Sequence, residues 1–144
     1  IILGGEKKNI ANENIIFAGE ISPNNLGSWY RTADVYIHLA WIEPCGNTQI
    51  EAMACGLPVI CCNNGGIGET VKFASGGLVV ETDPQFEFEE LDYYNPPKPN
   101  YNKLIEAIQE IFSNYELYKN KINYNYLNID NAAIEYTDFI KKVS

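Results

Sequence analysis

The sequence predicts an α/β fold of the Rossmann-like type, with a mainly parallel sheet between two layers of helices. Three observations predict it. Short apolar runs alternate with segments of helical periodicity along most of the 144 residues. Residues 58–62, PVICC, are almost wholly apolar, as in a strand covered on both faces. Gly56, Leu57 and Pro58 form a strong helix stop before that run. We expect one domain over residues 1–144, which is long enough to bury a core.

The first half of the chain contains three apolar runs and one helical segment. The apolar runs predict strands, and they are residues 1–3, 15–19 and 34–39. Residues 6–13 are polar and too short for a crossover helix. Ser22 and Pro23 supply an N-cap and a first-turn proline, so a helix begins there and continues through Ala33.

The stretch from Glu43 to Glu69, EPCGNTQIEAMACGLPVICCNNGGIGE, organises the chain and reads as loop, helix, strand and loop. Asn47 and Thr48 can accept hydrogen bonds from the N–H groups of a first helical turn, so we expect a helix over residues 47–55. Both loops then lie at the end of a parallel sheet where ligands bind in open α/β folds. The free N–H groups of this helix suit a phosphate or a ring of sugar hydroxyls.

The second half predicts a short helix opening at Glu69 and a fifth strand at residues 77–80. Residues 82–100 carry an acidic run followed by three prolines, which predicts an excursion without regular structure. A solvated acidic face explains this segment better than a binding role. Three helices complete the chain, at residues 101–113, 115–127 and 131–143, the last capped by Asp130.

Composition and charge exclude several classes of partner. The net charge of −9 argues against nucleic acid and against an anionic membrane surface. No apolar run could span a bilayer and no signal peptide is visible, which predicts a cytoplasmic protein. The four cysteines lack metal or disulfide spacing, so we expect free thiols in the core and no metal site. Because Ile1 lies inside an apolar run and is not Met, we expect a fragment of a longer protein.

The motifs of this chain resemble those of a known enzyme family. Glu43 and Glu51, separated by seven residues, lie within EPCGNTQIEAMACGLPVI, and NGGIGE follows. FAGEI and LGSWYRTADVYIHLA stand upstream, and GGLVV stands downstream. In this order the motifs resemble the donor-binding half of the family-4 retaining glycosyltransferases, the group 1 glycosyl transferases, which have the two-domain GT-B fold. The resemblance implies a C-terminal domain that binds a nucleotide-sugar donor, with the N-terminal acceptor-binding domain outside this chain.

The resemblance also implies roles for individual residues. Glu51 matches the residue that holds both ribose hydroxyls, and a carboxylate offers the two acceptor oxygens that a vicinal diol needs. Glu43 matches the catalytic glutamate near the donor sugar, where a carboxylate can stabilise positive charge at the anomeric carbon. Whether it acts as a nucleophile or as an electrostatic partner stays open. Gly46, Asn47 and Thr48 would offer backbone N–H groups to the sugar hydroxyls.

Other positions admit two interpretations. Gly65 and Gly66 are candidates for facing the ligand, but they would serve equally well as turn glycines. His38, the only histidine, is better explained as a satisfied structural residue than as a catalytic one.

The implied activity is hexosyl transfer in carbohydrate biosynthesis, without metal or other cofactor. The fragment alone should bind a donor weakly and should not catalyse transfer. Two alternatives remain, namely a nucleotide-sugar epimerase of the same fold and a non-catalytic nucleotide-binding module.

Overall fold

The computed structural model describes residues 2–3, 12–40, 43–83 and 97–143. Strands and helices alternate there as the sequence predicts. The strands are β1 (Ile2–Leu3), β2 (Phe17–Gly19), β3 (Tyr36–His38), β4 (Val59–Cys62), β5 (Gly77–Val80), β6 (Thr82–Asp83) and β7 (Lys98–Pro99). The helices are α1 (Pro23–Thr32), α2 (Asn47–Ala54), α3 (Ile67–Phe73), α4 (Tyr101–Ser113), α5 (Tyr115–Lys121), α6 (Tyr124–Leu127) and α7 (Ile129–Val143).

The first five strands pair in parallel, which confirms the predicted fold class. β4 is the central strand of a three-stranded sheet, with β3 on one side and β5 on the other. Val59 at the start of β4 lies opposite Tyr36 of β3 and Gly77 of β5. β1 and β2 form a second parallel sheet of two strands. The sequence did not indicate that the parallel strands would be divided in this way.

The core lies on both faces of β4, and all four residues of this strand are buried. Val59 and Cys61 join one apolar cluster, which includes residues of α2 and α3. Ile60 and Cys62 join the other, to which α4 contributes Ile111. β4 is therefore covered on both sides, as its apolar sequence predicts, and each fully buried aliphatic side chain contributes about 1.5–3 kcal/mol to folding.

The prediction that the cysteines lie in the core is correct for some of them only. Cys61 and Cys62 are buried on opposite faces of β4, in agreement with that expectation. Cys55, at the end of α2, is partly buried. The prediction of a core residue is wrong for Cys45, whose position in the loop before α2 leaves it exposed.

The segment at residues 82–100 has more structure than its composition predicts. β6 and β7 pair antiparallel, with Thr82 opposite Pro99 and Asp83 opposite Lys98. The expectation of no regular structure is therefore wrong at the two ends of this segment. Most of the acidic run belongs to residues 84–96, which lie outside the described residues.

The predicted helix over residues 115–127 is two helices. α5 ends before Ile122, which is buried in the same cluster as part of α2. The side chain of Asn123 then accepts a hydrogen bond from the backbone N–H of Tyr126 and begins α6. The need to bury Ile122 outweighs the continuous helical propensity of the segment.

Two other helices begin earlier than predicted. α3 starts at Ile67 rather than Glu69. α7 starts at Ile129, and Asp130 lies in its first turn. The predicted cap at Asp130 is wrong, because it is the side chain of Asn128 that accepts a hydrogen bond from the backbone N–H of Asp130. Within the described ranges, no helix is both long enough and apolar enough to cross a membrane.

Candidate functional site

The N-terminus of α2 carries no side-chain cap. Gly46 occupies the N-cap position in an extended conformation, and no side-chain oxygen accepts a hydrogen bond from the first turn. The expectation that Asn47 and Thr48 would cap this helix is therefore wrong. The Thr48 hydroxyl instead lies 3.4 Å from Nδ1 of His38, at the end of β3. The free N–H groups of the first turn remain available to an oxygen-rich ligand.

The loops after β3 and β4 meet at the same end of the sheet, as predicted. The backbone N–H of Gly66 donates a hydrogen bond of 3.1 Å to the carbonyl oxygen of Glu43. A β-carbon at Gly66 would overlap the carbonyl oxygen of Pro44, and one at Gly65 would lie against the backbone of Glu43. Both glycines are thus required by the close approach of two backbones. Their contact with a ligand stays a prediction.

Gly46 makes room for two polar side chains beside the start of α2. A β-carbon at this position would overlap the amide oxygen of Gln49 and would lie 3.0 Å from Cγ of Glu43. Gly46 is buried and Glu43 is half-buried. The side chain of the predicted catalytic glutamate therefore packs directly against the N-cap of α2.

Glu51 lies one turn further along α2 and is exposed. The hydroxyl of Tyr30, from α1, donates a hydrogen bond of 3.2 Å to Oε2 of Glu51. Tyr30 itself is only 4% exposed, so the bond joins a core residue to a surface carboxylate. Tyr30 is not predicted as a site residue, because no local pattern in the sequence indicates this contact.

A second tyrosine links Tyr30 to the end of β3. The rings of Tyr30 and Tyr36 pack edge to face, with centroids 5.7 Å apart. The Tyr36 hydroxyl lies 3.1 Å from Nδ1 of His38. Burial raises the pKa of both tyrosines above their ordinary value of 10.0. Both hydroxyls are therefore protonated at neutral pH and can act as hydrogen-bond donors.

His38 is a neutral imidazole at neutral pH. Burial lowers its pKa from 6.5, and the negative charge of Glu43 opposes that shift. The Tyr36 hydroxyl lies at hydrogen-bond distance from Nδ1, and this nitrogen accepts or donates according to the tautomer of the ring. Nε2 is buried and makes no hydrogen bond in the described part of the chain. The expectation of a fully satisfied histidine is thus correct for one nitrogen only.

Two buried amides near the loops also lack partners among the described residues. Gln49 is fully buried, and neither atom of its amide group is hydrogen-bonded. Asn64, in the loop after β4, is 3% exposed and its Nδ2 has no partner. Gln49 lies three and four positions before the buried Ala52 and Met53, so helical spacing could have placed it on the covered face of α2.

This arrangement offers hydrogen-bonding groups to an anionic or polyhydroxylated ligand. In the described ranges, no group of three or more His, Cys, Asp or Glu side chains could hold a metal. Glu43 and Glu51 supply acceptors for hydroxyl groups on either side of the start of α2. The uncapped first turn supplies donors for phosphate or sugar oxygens.

Comparison with known proteins gives a consistent result. The family described as "Glycosyl transferases group 1" matches residues 6–91, which is more than half of the chain. YtcC of Bacillus subtilis, whose name assigns it provisionally to the glycosyltransferases, is 32% identical over 133 residues, or 92% of this chain and 29% of YtcC. D-inositol 3-phosphate glycosyltransferase of Paenarthrobacter aurescens is 38% identical over 56 residues, or 39% of this chain and 14% of that protein.

Among solved structures, sucrose-phosphate synthase from Thermosynechococcus elongatus matches with a TM-score of 0.60 and 27% identity. The match covers 89% of this chain and 30% of that one. It confirms the predicted GT-B type of architecture. The chain spans less than a third of the length of each of these relatives.

Proposed function

The chain belongs to the group 1 glycosyl transferases, and from this we propose that it forms, as one domain, the donor-binding half of a retaining glycosyltransferase. The complete protein moves a sugar from a nucleoside diphosphate sugar to an acceptor. The acceptor is bound by an N-terminal domain outside this chain. The reaction is part of cytoplasmic carbohydrate biosynthesis and uses neither a metal nor an organic cofactor.

One observation carries the proposal: the uncapped start of α2 lies between two glutamates at the carboxyl end of a parallel sheet. A nucleoside diphosphate sugar presents a ribose diol, phosphate oxygens and sugar hydroxyls, and this region offers acceptors and donors for all three. The exposed Glu51 accepts hydrogen bonds from the two ribose hydroxyls. The backbone N–H groups of Gly46, Asn47 and Thr48 donate to the sugar or the adjacent phosphate.

Glu43 acts at the reacting carbon. Retaining transfer develops positive charge at the anomeric carbon, and a carboxylate held beside it lowers the energy of that transition state. The hydrogen bond from Gly66 and the contact with Gly65 support this role, because they fix the backbone of Glu43. In the proposal Gly65 and Gly66 border the same donor site.

The donor site is tested by calorimetric titration of UDP, GDP and ADP into the full-length protein. We expect one of the three to bind, and Glu51→Ala to weaken that binding at least about tenfold, because hydrogen bonds to a charged group are lost. Glu116→Ala is the matched control, since Glu116 is also an exposed helical glutamate but lies on α5. Equal binding by the wild type and Glu51→Ala would contradict the ribose role.

The chemistry is tested by NMR with the nucleotide sugar whose nucleotide binds, with water as the acceptor. A retaining enzyme first releases the sugar in the anomeric configuration of the donor, and Glu43→Gln should slow that release at least about a hundredfold. First release of the opposite anomer would overturn the retaining assignment. Conversion of the donor into an isomeric nucleotide sugar would instead establish an epimerase, and binding without any conversion would favour a non-catalytic module.

A further inference from the structure

Tyr30 and Glu51 form a hydrogen bond between two residues that are 21 positions apart in the sequence. The tyrosine lies in the last part of α1 and the glutamate in the middle of α2. A buried phenolic hydroxyl needs a hydrogen-bond partner, and here the partner is Oε2 of Glu51 at 3.2 Å. The contact therefore depends on the packing of α1 against α2 and not on local sequence.

The two side chains joined by this hydrogen bond differ in conformational freedom. Tyr30 is 4% exposed and belongs to the apolar cluster on one face of β4. Its ring also packs edge to face against Tyr36, at an interplanar angle of 88°. Glu51 is exposed, and a solvated glutamate would otherwise sample many rotamers. The hydrogen bond to the rigid side chain of Tyr30 therefore restricts the rotamers of Glu51.

The bond leaves the carboxylate able to bind a ligand. An ionised carboxylate has about four acceptor positions, and the Tyr30 hydroxyl uses one of them. No second donor from the described part of the chain bonds to Glu51. Burial raises the pKa of Tyr30, so the hydroxyl remains a donor and never becomes a competing anion across the range in which proteins are stable.

We propose that Tyr30 is a positioning residue for the donor site, fixing the carboxylate of Glu51 so that its free acceptor positions face the two ribose hydroxyls of the nucleotide. This inference rests on the proposed function, in which Glu51 binds ribose. Tyr30 does not touch the nucleotide and acts through Glu51 alone. The gain is preorganisation, because a fixed carboxylate loses less conformational freedom when the diol binds.

The test compares a nucleoside diphosphate with its 2′,3′-dideoxy counterpart, by calorimetry on the full-length protein. In the wild type the ratio of the two affinities measures the contribution of the ribose diol. Tyr30→Phe removes only the hydroxyl, and we expect it to weaken binding of the ribonucleotide by about tenfold. Binding of the dideoxy form should be unchanged, so that the ratio falls by the same factor.

The chain offers a matched control at Tyr118. Its hydroxyl also donates a hydrogen bond of 3.2 Å to a glutamate, Glu110, on α4. Tyr118→Phe should leave both affinities unchanged. Because both nucleotides are titrated into the same preparation, partial unfolding of a variant changes the active fraction and leaves the ratio unaffected.

Glu51→Ala, alone and combined with Tyr30→Phe, distinguishes failure of this inference from failure of the proposed function. Glu51→Ala should abolish discrimination between the two nucleotides, and Tyr30→Phe added to it should have no further effect. If Glu51→Ala abolishes discrimination while Tyr30→Phe retains the wild-type ratio, the positioning role is overturned and the ribose role stands. If the wild type does not distinguish the two nucleotides, the ribose role fails and the positioning role fails with it.

A purely structural role for Tyr30 gives a different result. Tyr30→Phe would then weaken binding of both nucleotides equally, or lower the thermal unfolding temperature without altering either affinity. Either result would overturn the proposal.

Discussion

The backbone N–H of Gly66 donates a hydrogen bond of 3.1 Å to the carbonyl oxygen of Glu43. This bond joins the loop that follows β3 to the loop that follows β4. The position of Glu43 therefore depends on a segment that comes more than 20 residues later in the chain. Substitution of Gly66, or of its neighbour Gly65, should therefore displace the predicted catalytic carboxylate even though Glu43 itself is unchanged.

Gly65→Ala tests this relationship. Gly65 has a φ of +69°, which costs an L-residue about 1–2 kcal/mol, and its β-carbon would lie against the backbone of Glu43. The overlap adds about 1–3 kcal/mol. We expect a total loss of about 2–5 kcal/mol in the free energy of unfolding, measured by denaturant titration, together with a loss of transfer activity.

Gly19→Ala separates backbone strain from overlap. Gly19 has a nearly identical φ of +70°, and nothing lies within 4 Å of its β-carbon position. This variant should lose only about 1–2 kcal/mol and keep its activity. Equal effects of the two substitutions would show that the contact between the loops contributes nothing.

The sequence predicted elements whose limits are set by local chemistry. α2 and β4 were predicted almost to the residue because the stop at Gly56 and Pro58 separates them, and Gly56 does adopt a positive φ of +82°. The fully apolar sequence of β4 predicts that this strand is buried on both faces, and the structure confirms it. These signals do not depend on the rest of the fold.

Contacts between distant segments could not be predicted in this way. Nothing in the sequence near Tyr30 indicates a bond to Glu51, because the packing of two helices creates it. The cap of α2 was predicted wrongly for a related reason. Thr48 is a good capping residue in isolation, but its hydroxyl lies near His38 of a neighbouring strand. The break at Ile122 likewise results from tertiary burial.

Gln49→Met should stabilise the protein. Gln49 is fully buried, and both polar atoms of its amide lack partners among the described residues. Met has nearly the same shape and removes the cost of burying an unsatisfied amide, which is about 1–3 kcal/mol. We expect the midpoint of denaturant unfolding of the full-length protein to rise accordingly.

The control for this substitution is Gln109→Met, at an exposed position of α4. It should change the free energy of unfolding by no more than about 0.5 kcal/mol. A loss of stability in Gln49→Met would mean that the buried amide is hydrogen-bonded in solution and is not an unsatisfied group.

The cysteines should react with iodoacetamide in a defined order. Cys45 is exposed, whereas Cys61 is fully buried and its pKa is raised by burial to about 12. At about pH 8, peptide mass spectrometry of the native protein should show modification of Cys45 and none of Cys61 or Cys62, because the reagent attacks exposed thiolate. All of them should react in denaturant. Modification of Cys61 in the native protein at the rate of Cys45 would contradict the burial of β4.

His38 should give the protein a specific loss of stability in acid. Burial lowers its folded-state pKa below the unfolded value of 6.5, so the unfolded state binds the proton first as the pH falls. The free energy of unfolding should therefore decrease as the pH falls through about 6.5. His38→Asn has no such group, and its stability should change less between about pH 7.5 and pH 5.5.

The same titration can be observed directly. His38 is the only histidine of this chain, and the His38→Asn spectrum assigns its imidazole signals in the full-length protein. We expect the NMR midpoint to lie below 6.5, because desolvation outweighs the attraction of Glu43. Glu43→Gln removes that attraction and should lower the midpoint further, whereas Glu69→Gln, on α3, should leave it unchanged. A midpoint above 6.5 would mean that the attraction of Glu43 outweighs desolvation, and acid would then stabilise this end of the sheet.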